Sequence, residues 1–249
     1  HLEGFGGTEG VIKGKSELYI HLEQNNKTAF VNLDDEIQKD KTSKFSRFTF
    51  AVDNYNCDVR IEKVSANPMV KVTYKDTEIH SNLIGLYNAN NINAAIAIGV
   101  FFKIDIQHIK EAIEGYTPAN NRSQLMEKSG NKIILDAYNA NPSSMDAAIN
   151  NFSHLDAEAK IAILGDMFEL GEESLQEHRQ LIEKVADKNI ETYFIGKDFY
   201  NNRIENNNLH FYKTYESFKE HFQTIKPANK TILIKGSRGM ALERALELI

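Results

Sequence analysis

Long apolar runs are missing from this sequence. No stretch approaches the roughly 20 apolar residues that a membrane-spanning helix needs. Residues 1–4, His-Leu-Glu-Gly, also lack the basic and apolar regions of a secretory signal peptide. Together these two absences predict a cytoplasmic protein that does not insert into a membrane.

The sequence also contains little cysteine and has no excess of positive charge. Cys57 is the only cysteine, so the chain cannot form an internal disulfide. The 29 basic and 35 acidic residues give a net charge of −6, which argues against a broad nucleic-acid surface, because such a surface needs clustered basic residues. A nucleotide is not excluded, since a few amides, basic side chains and a metal ion can bind one locally.

The length and composition predict two ordinary globular domains. The chain has 249 residues, of which 41% are hydrophobic and 26% charged. Residues 116–121, Tyr-Thr-Pro-Ala-Asn-Asn, contain a proline and two asparagines between regular patterns, which favours an interdomain hinge. We therefore expect domains at 1–117 and 118–249.

The first domain is expected to mix helices with short strands. Val11, Leu18, Tyr19 and Leu22 recur near helical spacing and predict an amphipathic helix over Thr8–Gln24. Short β-branched or alternating segments follow, and they predict a meander or antiparallel sheet. These segments are 28–33, 46–52, 58–64, 70–74 and 78–84. Helices are predicted again at 89–102 and 106–114.

Strands and helices alternate through the second domain. Such alternation predicts right-handed βαβ units and a mostly parallel, Rossmann-like sheet. The predicted strands are 132–136, 160–164, 192–195, 209–212 and 231–234, and the main helices are 143–152, 174–187, 216–224 and 241–248. Ligands bind beyond the carboxyl ends of parallel strands, where polar clusters occur at 136–142, 165–171 and 235–239.

One apparent phosphate-binding loop fails on its spacing. Residues 10–16, Gly-Val-Ile-Lys-Gly-Lys-Ser, contain a Gly-Lys-Ser run, but the required glycine five residues before Gly14 is Glu9. The run also lies inside a helical pattern instead of following a strand. We do not interpret it as a phosphate loop.

The opening His-Leu-Glu-Gly-Phe-Gly, with Lys15 fourteen residues after His1, resembles the Mur ligase family and its MurF branch. The polar clusters after the predicted strands carry the same resemblance. It implies an α/β chain in which 1–117 is the C-terminal half of the central ATP-binding domain and 118–249 a Rossmann-like ligase domain. It also implies that the UDP-binding domain and the phosphate-loop half of the ATPase domain are not in this sequence.

The resemblance implies an ATP-dependent ligase of peptidoglycan biosynthesis. Such an enzyme joins D-alanyl-D-alanine to a UDP-N-acetylmuramoyl-tripeptide through an acyl phosphate and is a monomer when full length. Because the phosphate loop is missing from the sequence given, we expect this chain alone to be inactive. No nucleic-acid partner is implied.

For ATP and Mg²⁺, the resemblance implies His1 as a metal ligand and Lys15 as a catalytic lysine carbamylated on its amine. Carbamylation replaces a cation with carboxylate oxygens, which Mg²⁺ prefers. Asn88 and Asn91 match the two asparagines that contact adenine, although Asn88 is also suited to cap the following helix.

The second domain matches the family at further ATP-binding and substrate-binding positions. Arg122 matches an arginine that reaches the ATP phosphates, and Asp136 an acid that binds the ribose. The most specific run is 138–143, Tyr-Asn-Ala-Asn-Pro-Ser, in which Ser143 is expected to cap the next helix. The substrate-binding positions implied in total are Tyr138, Asn139, Asn141, Asp166, Glu169, Lys235, Ser237 and Arg238.

Individual roles in this set stay open. Asp166 or Glu169 would hold the ammonium of the dipeptide and Lys235 or Arg238 an anion, with surface ion pairing as the alternative for each. Two other functions also remain: a related ligase such as a folylpolyglutamate synthase, against which the Tyr-Asn-Ala-Asn-Pro run argues, and a non-catalytic ligand-binding fragment.

Overall fold

The first of two compact units covers residues 1–117, and the second covers 118–249. The computed structural model describes residues 2–119, 121–157 and 159–249. Among these residues no helix is long and apolar enough to cross a bilayer. Each unit has a hydrophobic core of its own, so each is described separately.

The first unit contains two three-stranded sheets and five α-helices among its described residues. In chain order the elements are α1 (Leu2–Phe5), α2 (Thr8–Gln24), β1 (Ala29–Asn32), α3 (Glu36–Lys41), β2 (Arg47–Val52), β3 (Val59–Ile61), β4 (Lys63–Ala66), β5 (Met69–Tyr74), β6 (Thr77–Ile84), α4 (Ala89–Phe101) and α5 (Ile106–Gly115). A short 3₁₀ helix, Leu86–Asn88, precedes α4.

The strand pairing of the first unit corrects the prediction of an antiparallel sheet throughout. Only β4, β5 and β6 pair antiparallel, whereas β1, β2 and β3 are parallel. The parallel pairing of β1 and β2 depends on α3, a helix that crosses between them and was not predicted. Asp35 begins α3 by accepting the backbone N–H groups of Ile37 and Gln38. An Asp followed three residues later by Gln is a start signal that the sequence contained.

The core of the first unit joins both sheets to α4. Phe50 and Ile61 come from the parallel sheet, Val72 and Ile79 from the antiparallel sheet, and Ile96 from α4. In contrast, α2 has the predicted bounds but buries none of its side chains among the described residues. Its apolar side chains therefore do not contribute to this core.

The second unit is a six-stranded sheet with helices on both faces. Its elements are β7 (Gln124–Lys128), β8 (Asn131–Asp136), α6 (Pro142–His154), β9 (Lys160–Gly165), α7 (Ser174–Ala186), β10 (Glu191–Ile195), α8 (Lys197–Asn201), β11 (Leu209–Tyr212), α9 (Tyr215–Ile225) and β12 (Thr231–Lys235). Three short 3₁₀ helices complete it, at Gly171–Glu173, Arg238–Met240 and Leu242–Leu248. The last of these replaces the α-helix predicted at 241–248.

The strand order is β11-β10-β9-β12-β8-β7, and all neighbours are parallel except β7 and β8. The predicted mostly parallel sheet is confirmed. The additional strand β7 was missed because its side chains are mostly polar and largely exposed. A two-residue turn at Ser129 and Gly130, both with positive φ, joins β7 to β8, as in a tight hairpin.

The helices divide between the two faces of this sheet. α6, α7 and α8 pack in sequence against one another, whereas α9 packs against the C-terminal 3₁₀ helix. Alternate strand residues such as Ile133, Ile163 and Ile232 form one core with Phe218 and Leu242. The segment after β12 therefore lies on the opposite face from the helices after β8 and β9.

The close approach of α8 to the end of β9 requires glycine at position 196. Gly196 has φ 133°, and a Cβ there would lie 2.2 Å from the Asp166 carboxylate. Gly196→Ala should lower the free energy of unfolding by at least about 2 kcal/mol, through backbone strain and overpacking. Urea denaturation followed by circular dichroism measures this change.

The matched control is Gly115→Ala, because Gly115 has no neighbouring atom within 4 Å of the added Cβ. Its unfolding free energy should change by no more than about 0.5 kcal/mol. Equal effects of the two substitutions would contradict the packing described at Gly196.

Candidate functional site

The carboxyl ends of three neighbouring strands bring the predicted polar clusters together. β12 lies between β8 and β9, with Lys235 opposite Asp136 on one side and Leu164 on the other. The loops 136–142, 165–171 and 235–239 consequently leave the sheet at the same edge. Open α/β sheets bind their ligands at this edge, beyond the carboxyl ends of the strands.

A buried ion pair lies at the centre of this edge. The Lys235 side chain is 3% exposed and the Asp136 side chain 13% exposed. Lys235 Nζ donates to Asp136 Oδ2 at 2.7 Å and to the Asn139 carbonyl at 3.1 Å, while Asp136 Oδ1 accepts the Ser123 N–H at 3.1 Å. The pair therefore connects β8 and β12 to two loops.

Arg122 and Tyr138 are stacked next to this pair. The Arg122 guanidinium carbon lies 3.7 Å from the centroid of the Tyr138 ring. Arg122 is exposed, and Tyr138 is 39% exposed. A stacked guanidinium keeps its N–H donors at the edge of its plane, so it can still donate to a phosphate or carboxylate.

The loop after β8 ends in a capping box, which corrects the expected cap. Asn141 is the N-cap of α6, and its Oδ1 accepts the Ser144 N–H at 2.8 Å and the Ser143 hydroxyl at 3.0 Å. Ser143, the predicted cap, lies inside the first turn because Pro142 occupies the first helical position. Asn139 is exposed at the same edge, and its Oδ1 accepts the Ala140 N–H.

Asp166 lies in the interior, contrary to its expected contact with a dipeptide ammonium. It is 4% exposed, and its two carboxylate oxygens accept the N–H groups of Asp198 and Phe199, each at 3.0 Å. Burial raises the pKa of this carboxyl group, and the two backbone hydrogen bonds partly oppose the rise. Asp166 therefore fixes the start of α8 instead of facing an open surface.

His178 completes the support of the loop after β9. It is fully buried; its Nε2 lies 3.0 Å from the Met167 amide nitrogen and its Nδ1 2.7 Å from the Ser174 carbonyl oxygen. Because Nε2 accepts from an amide, the ring is neutral with its proton on Nδ1. The 3.7 Å separation between Nε2 and Asp166 Oδ1 is therefore not an ion pair.

Ser237 joins the loop after β12 to the loop after β9. It is 4% exposed; its Oγ accepts the Phe168 N–H at 2.8 Å, and its own N–H donates to the Asp166 carbonyl at 3.3 Å. Ser237 was expected to bind substrate, but its hydroxyl is used inside the protein. Glu169 is exposed with φ 63°, and Arg238 is exposed and pairs with Glu243 at 2.7 Å.

In the first unit, the asparagines lie where β6 gives way to α4. Asn88 Nδ2 donates to the Ile84 carbonyl at 2.8 Å, and Asn91 Nδ2 donates to Asn88 Oδ1 at 3.1 Å. Asn88 makes no capping hydrogen bond from its side chain, so the expected cap is wrong. Asn91 is exposed and lines an apolar pocket of about 350 Å³ with Ala95 and Tyr116.

Of the two residues expected to hold a metal, one lies among the residues that the structure describes. Lys15 is exposed on α2, and His1 lies outside the described residues. Within residues 2–119, 121–157 and 159–249 no group of three or more His, Cys, Asp or Glu side chains forms a metal site.

Sequence reasoning missed two residues that support the loops of the site. The Ser123 backbone N–H donates to Asp136 Oδ1, and Asp198 Oδ2 accepts from Ser174 Oγ at 3.0 Å. Gly196, two residues before Asp198, was one available signal, because a glycine between a strand and a helix often marks a close approach of backbone.

Two family models match the chain in order. One, described as the Mur ligase middle domain, matches residues 1–99, and the other, described as Mur ligase, glutamate ligase domain, matches residues 121–238. Together they account for most of both units.

Curated relatives are similar over nearly the whole chain. The UDP-N-acetylmuramoyl-tripeptide--D-alanyl-D-alanine ligase of Buchnera aphidicola is 31% identical over 99% of this chain and 57% of its own length. The Bacillus subtilis enzyme of the same name is 29% identical over 99% of this chain and 56% of its own. The chain thus spans somewhat more than half the length of these relatives.

Solved structures agree in fold. A MurF crystal structure from Acinetobacter baumannii superimposes with a TM-score of 0.83 and 25% identity, covering 99% of this chain and 56% of that one. MurF of Thermotoga maritima, solved in complex with ADP, gives a TM-score of 0.81 at 21% identity. The match covers 100% of this chain and 58% of that chain. With both domain models matched in order, this chain belongs to the Mur ligase family.

Proposed function

We propose that this chain supplies the C-terminal half of the ATP-binding domain, residues 1–117, and the ligase domain, residues 118–249, of a MurF-type enzyme. The enzyme would add D-alanyl-D-alanine to a UDP-N-acetylmuramoyl-tripeptide in cytoplasmic peptidoglycan synthesis and act as a monomer. The observation that carries the proposal is the junction of three polar loops at one sheet edge, with the Tyr-Asn-Ala-Asn-Pro loop among them. The curated relatives named for this reaction support it.

The proposed reaction forms one amide bond per ATP. The terminal carboxylate of the tripeptide attacks the γ-phosphorus of ATP, which gives an acyl phosphate and ADP. The neutral amine of D-alanyl-D-alanine then attacks the acyl carbon, and the tetrahedral intermediate loses the amine proton to solvent and expels phosphate. Negative charge develops on phosphoryl and carbonyl oxygens, so fixed cations and N–H donors lower the barrier.

In this mechanism Arg122 is the cation of the second unit that acts on phosphate. It is exposed, and its ring contact with Tyr138 leaves guanidinium N–H groups available. Asn139 and the exposed Glu169 lie in two of the loops that meet at the edge, and they suit the polar ends of a dipeptide. Asp166, Lys235 and Ser237 hold these loops in place.

The adenine would bind against α4. The pocket that Asn91 lines is walled by Ile92, Ala95 and Ile113, which suits the flat apolar faces of a purine. The Asn91 side-chain amide donates one N–H to Asn88 Oδ1. This hydrogen bond holds the Asn91 amide in place and leaves its oxygen for other partners. An oriented amide at the edge of an apolar pocket favours a base over a simple phosphate.

The proposal includes a magnesium ion with Lys15 and His1 as its ligands. Mg²⁺ supplies charge neutralisation for ATP when bound, and a carbamylated Lys15 would offer it carboxylate oxygens. The roles assigned above to Arg122 and the loops do not depend on the ion.

Binding of the dipeptide tests the proposed function directly. Titration of the ¹⁵N-labelled chain with D-alanyl-D-alanine should shift amide signals in loops 138–141 and 167–169, and L-alanyl-L-alanine should not. Asn139→Ala should weaken binding about three- to tenfold, since a hydrogen bond contributes about 0.5–1.5 kcal/mol.

Asn207→Ala is the matched control, because Asn207 is exposed in the loop before β11, at the opposite edge of the sheet. It should leave the affinity unchanged. Equal binding of both stereoisomers, or shifts confined to other regions, would count against the ligase proposal in favour of a different ligand.

Carbamylation of Lys15 gives a second test. In a ligase that contains this chain, Lys15→Ala should lose most turnover because the proposed carboxylate is gone, and a small added carboxylate should restore part of it. Lys13→Ala, on the same exposed helix, should turn over normally. Steady-state phosphate release measures both, and unchanged activity in Lys15→Ala would rule out the role.

A further inference from the structure

The backbone around Arg122 is held in an unfavourable conformation. Asn121 and Ser123, on either side of it, have φ values of 59° and 47°, in the left-handed region that non-glycine residues rarely adopt. Two hydrogen bonds maintain it: the Asn121 N–H donates to Gln124 Oε1 at 2.9 Å, and the Ser123 N–H donates to Asp136 Oδ1 at 3.1 Å. Strain of this kind persists where surrounding contacts fix the backbone, and it is common at functional sites.

The Tyr138 ring fixes the other end of Arg122. With the guanidinium carbon 3.7 Å from the ring centroid, the guanidinium group stacks on the ring and loses rotational freedom. Tyr138 follows Asp136 by two residues, so its position is set by the end of β8. The same short segment therefore orients both the backbone and the side chain of Arg122.

The buried pair of Asp136 and Lys235 couples the two loops. Asp136 binds the Arg122 loop through Ser123, and Lys235 binds the Tyr138 loop through the Asn139 carbonyl at 3.1 Å. Each charge compensates the other at 2.7 Å in a position almost closed to solvent. Each Asp136 oxygen accepts one of these hydrogen bonds and keeps a second lone pair.

We propose that Asp136, Lys235 and Tyr138 are positioning residues that set the Arg122 guanidinium for the transferring phosphoryl group. The proposal rests on the proposed ligase function, in which Arg122 acts on phosphate. It assigns Asp136 an indirect action through Arg122 that does not depend on a ribose contact. Preorganisation of this kind matters because a misplacement of about 1 Å can cost about 100-fold in rate.

The Tyr138 ring can be removed with little risk to folding, because it is 39% exposed. In a ligase that contains this chain, Tyr138→Leu should lower kcat about 10- to 100-fold with the KM for ATP nearly unchanged. Tyr138→Phe keeps the ring and should restore kcat. Unchanged kcat in Tyr138→Leu, or equal loss in both variants, would overturn the proposal, the latter because it assigns the action to the hydroxyl.

Tyr200→Leu is the matched control. Arg203 stacks on Tyr200 with its guanidinium carbon 4.5 Å from the ring centroid, after α8 and away from the Arg122 loop. This substitution removes a similar contact outside the proposed machinery, so kcat should stay at its original value. A loss like that of Tyr138→Leu would show that the effect is not specific to Arg122.

Deoxy-ATP separates positioning from ribose binding at Asp136. Asp136→Asn should lower turnover with 2′,3′-dideoxy-ATP as well as with ATP, because positioning does not need the ribose hydroxyls. A loss that appears with ATP and is absent with 2′,3′-dideoxy-ATP would assign Asp136 to the ribose alone and overturn its positioning role.

A spectroscopic measurement on the chain itself keeps the two proposals distinguishable. The Arg122 Nε–Hε signal should shift in Tyr138→Leu, because the ring current is lost, and stay in place in Tyr138→Phe and Tyr200→Leu. An unchanged signal in Tyr138→Leu would overturn the positioning role whatever the activity. Absence of D-alanyl-D-alanine ligation with a shifted signal would instead count against the proposed function.

Discussion

The ion pair between Asp136 and Lys235 is the contact on which the carboxyl edge of the second unit depends. It joins β8 to β12 and, through Ser123 and Asn139, fixes the loops that carry Arg122 and Tyr138. Removing either partner would leave a buried charge uncompensated, at a cost of about 3–5 kcal/mol. Its value therefore lies in the geometry that it imposes on neighbouring loops, because a buried pair contributes little net stability compared with apolar packing.

A second constraint comes from the buried polar groups beneath the loop after β9. Asp166 fixes the start of α8, His178 accepts the Met167 N–H, and Ser237 accepts that of Phe168. Successive amides of one loop are thus held by side chains from two different elements. This arrangement makes the exposed tips of the loop, including Glu169, part of a rigid surface suited to recognition of a small polar ligand.

The sequence predicted the alternating second unit well because βαβ periodicity is local and strong. The positions of the three polar clusters at strand ends followed from the same pattern. The prediction from sequence failed where the structure depends on contacts between residues that are distant in sequence. Asp166 and Ser237 look like exposed polar residues in a glycine-rich loop, yet both are buried against partners 32 and 69 residues away. In the first unit, the six-residue α3 was too short for periodicity to detect, and missing it led to the wrong strand pairing.

In the proposed function, the joined loops serve a ligase specific for D-alanyl-D-alanine. The most direct test measures phosphate released from ATP by a ligase that contains this chain, together with the mass of the product. Release should require both the UDP-N-acetylmuramoyl-tripeptide and D-alanyl-D-alanine, and each phosphate should accompany one tripeptide extended by the dipeptide. Phosphate release that proceeds equally without the dipeptide, or a product extended by a different amino acid, would contradict the account.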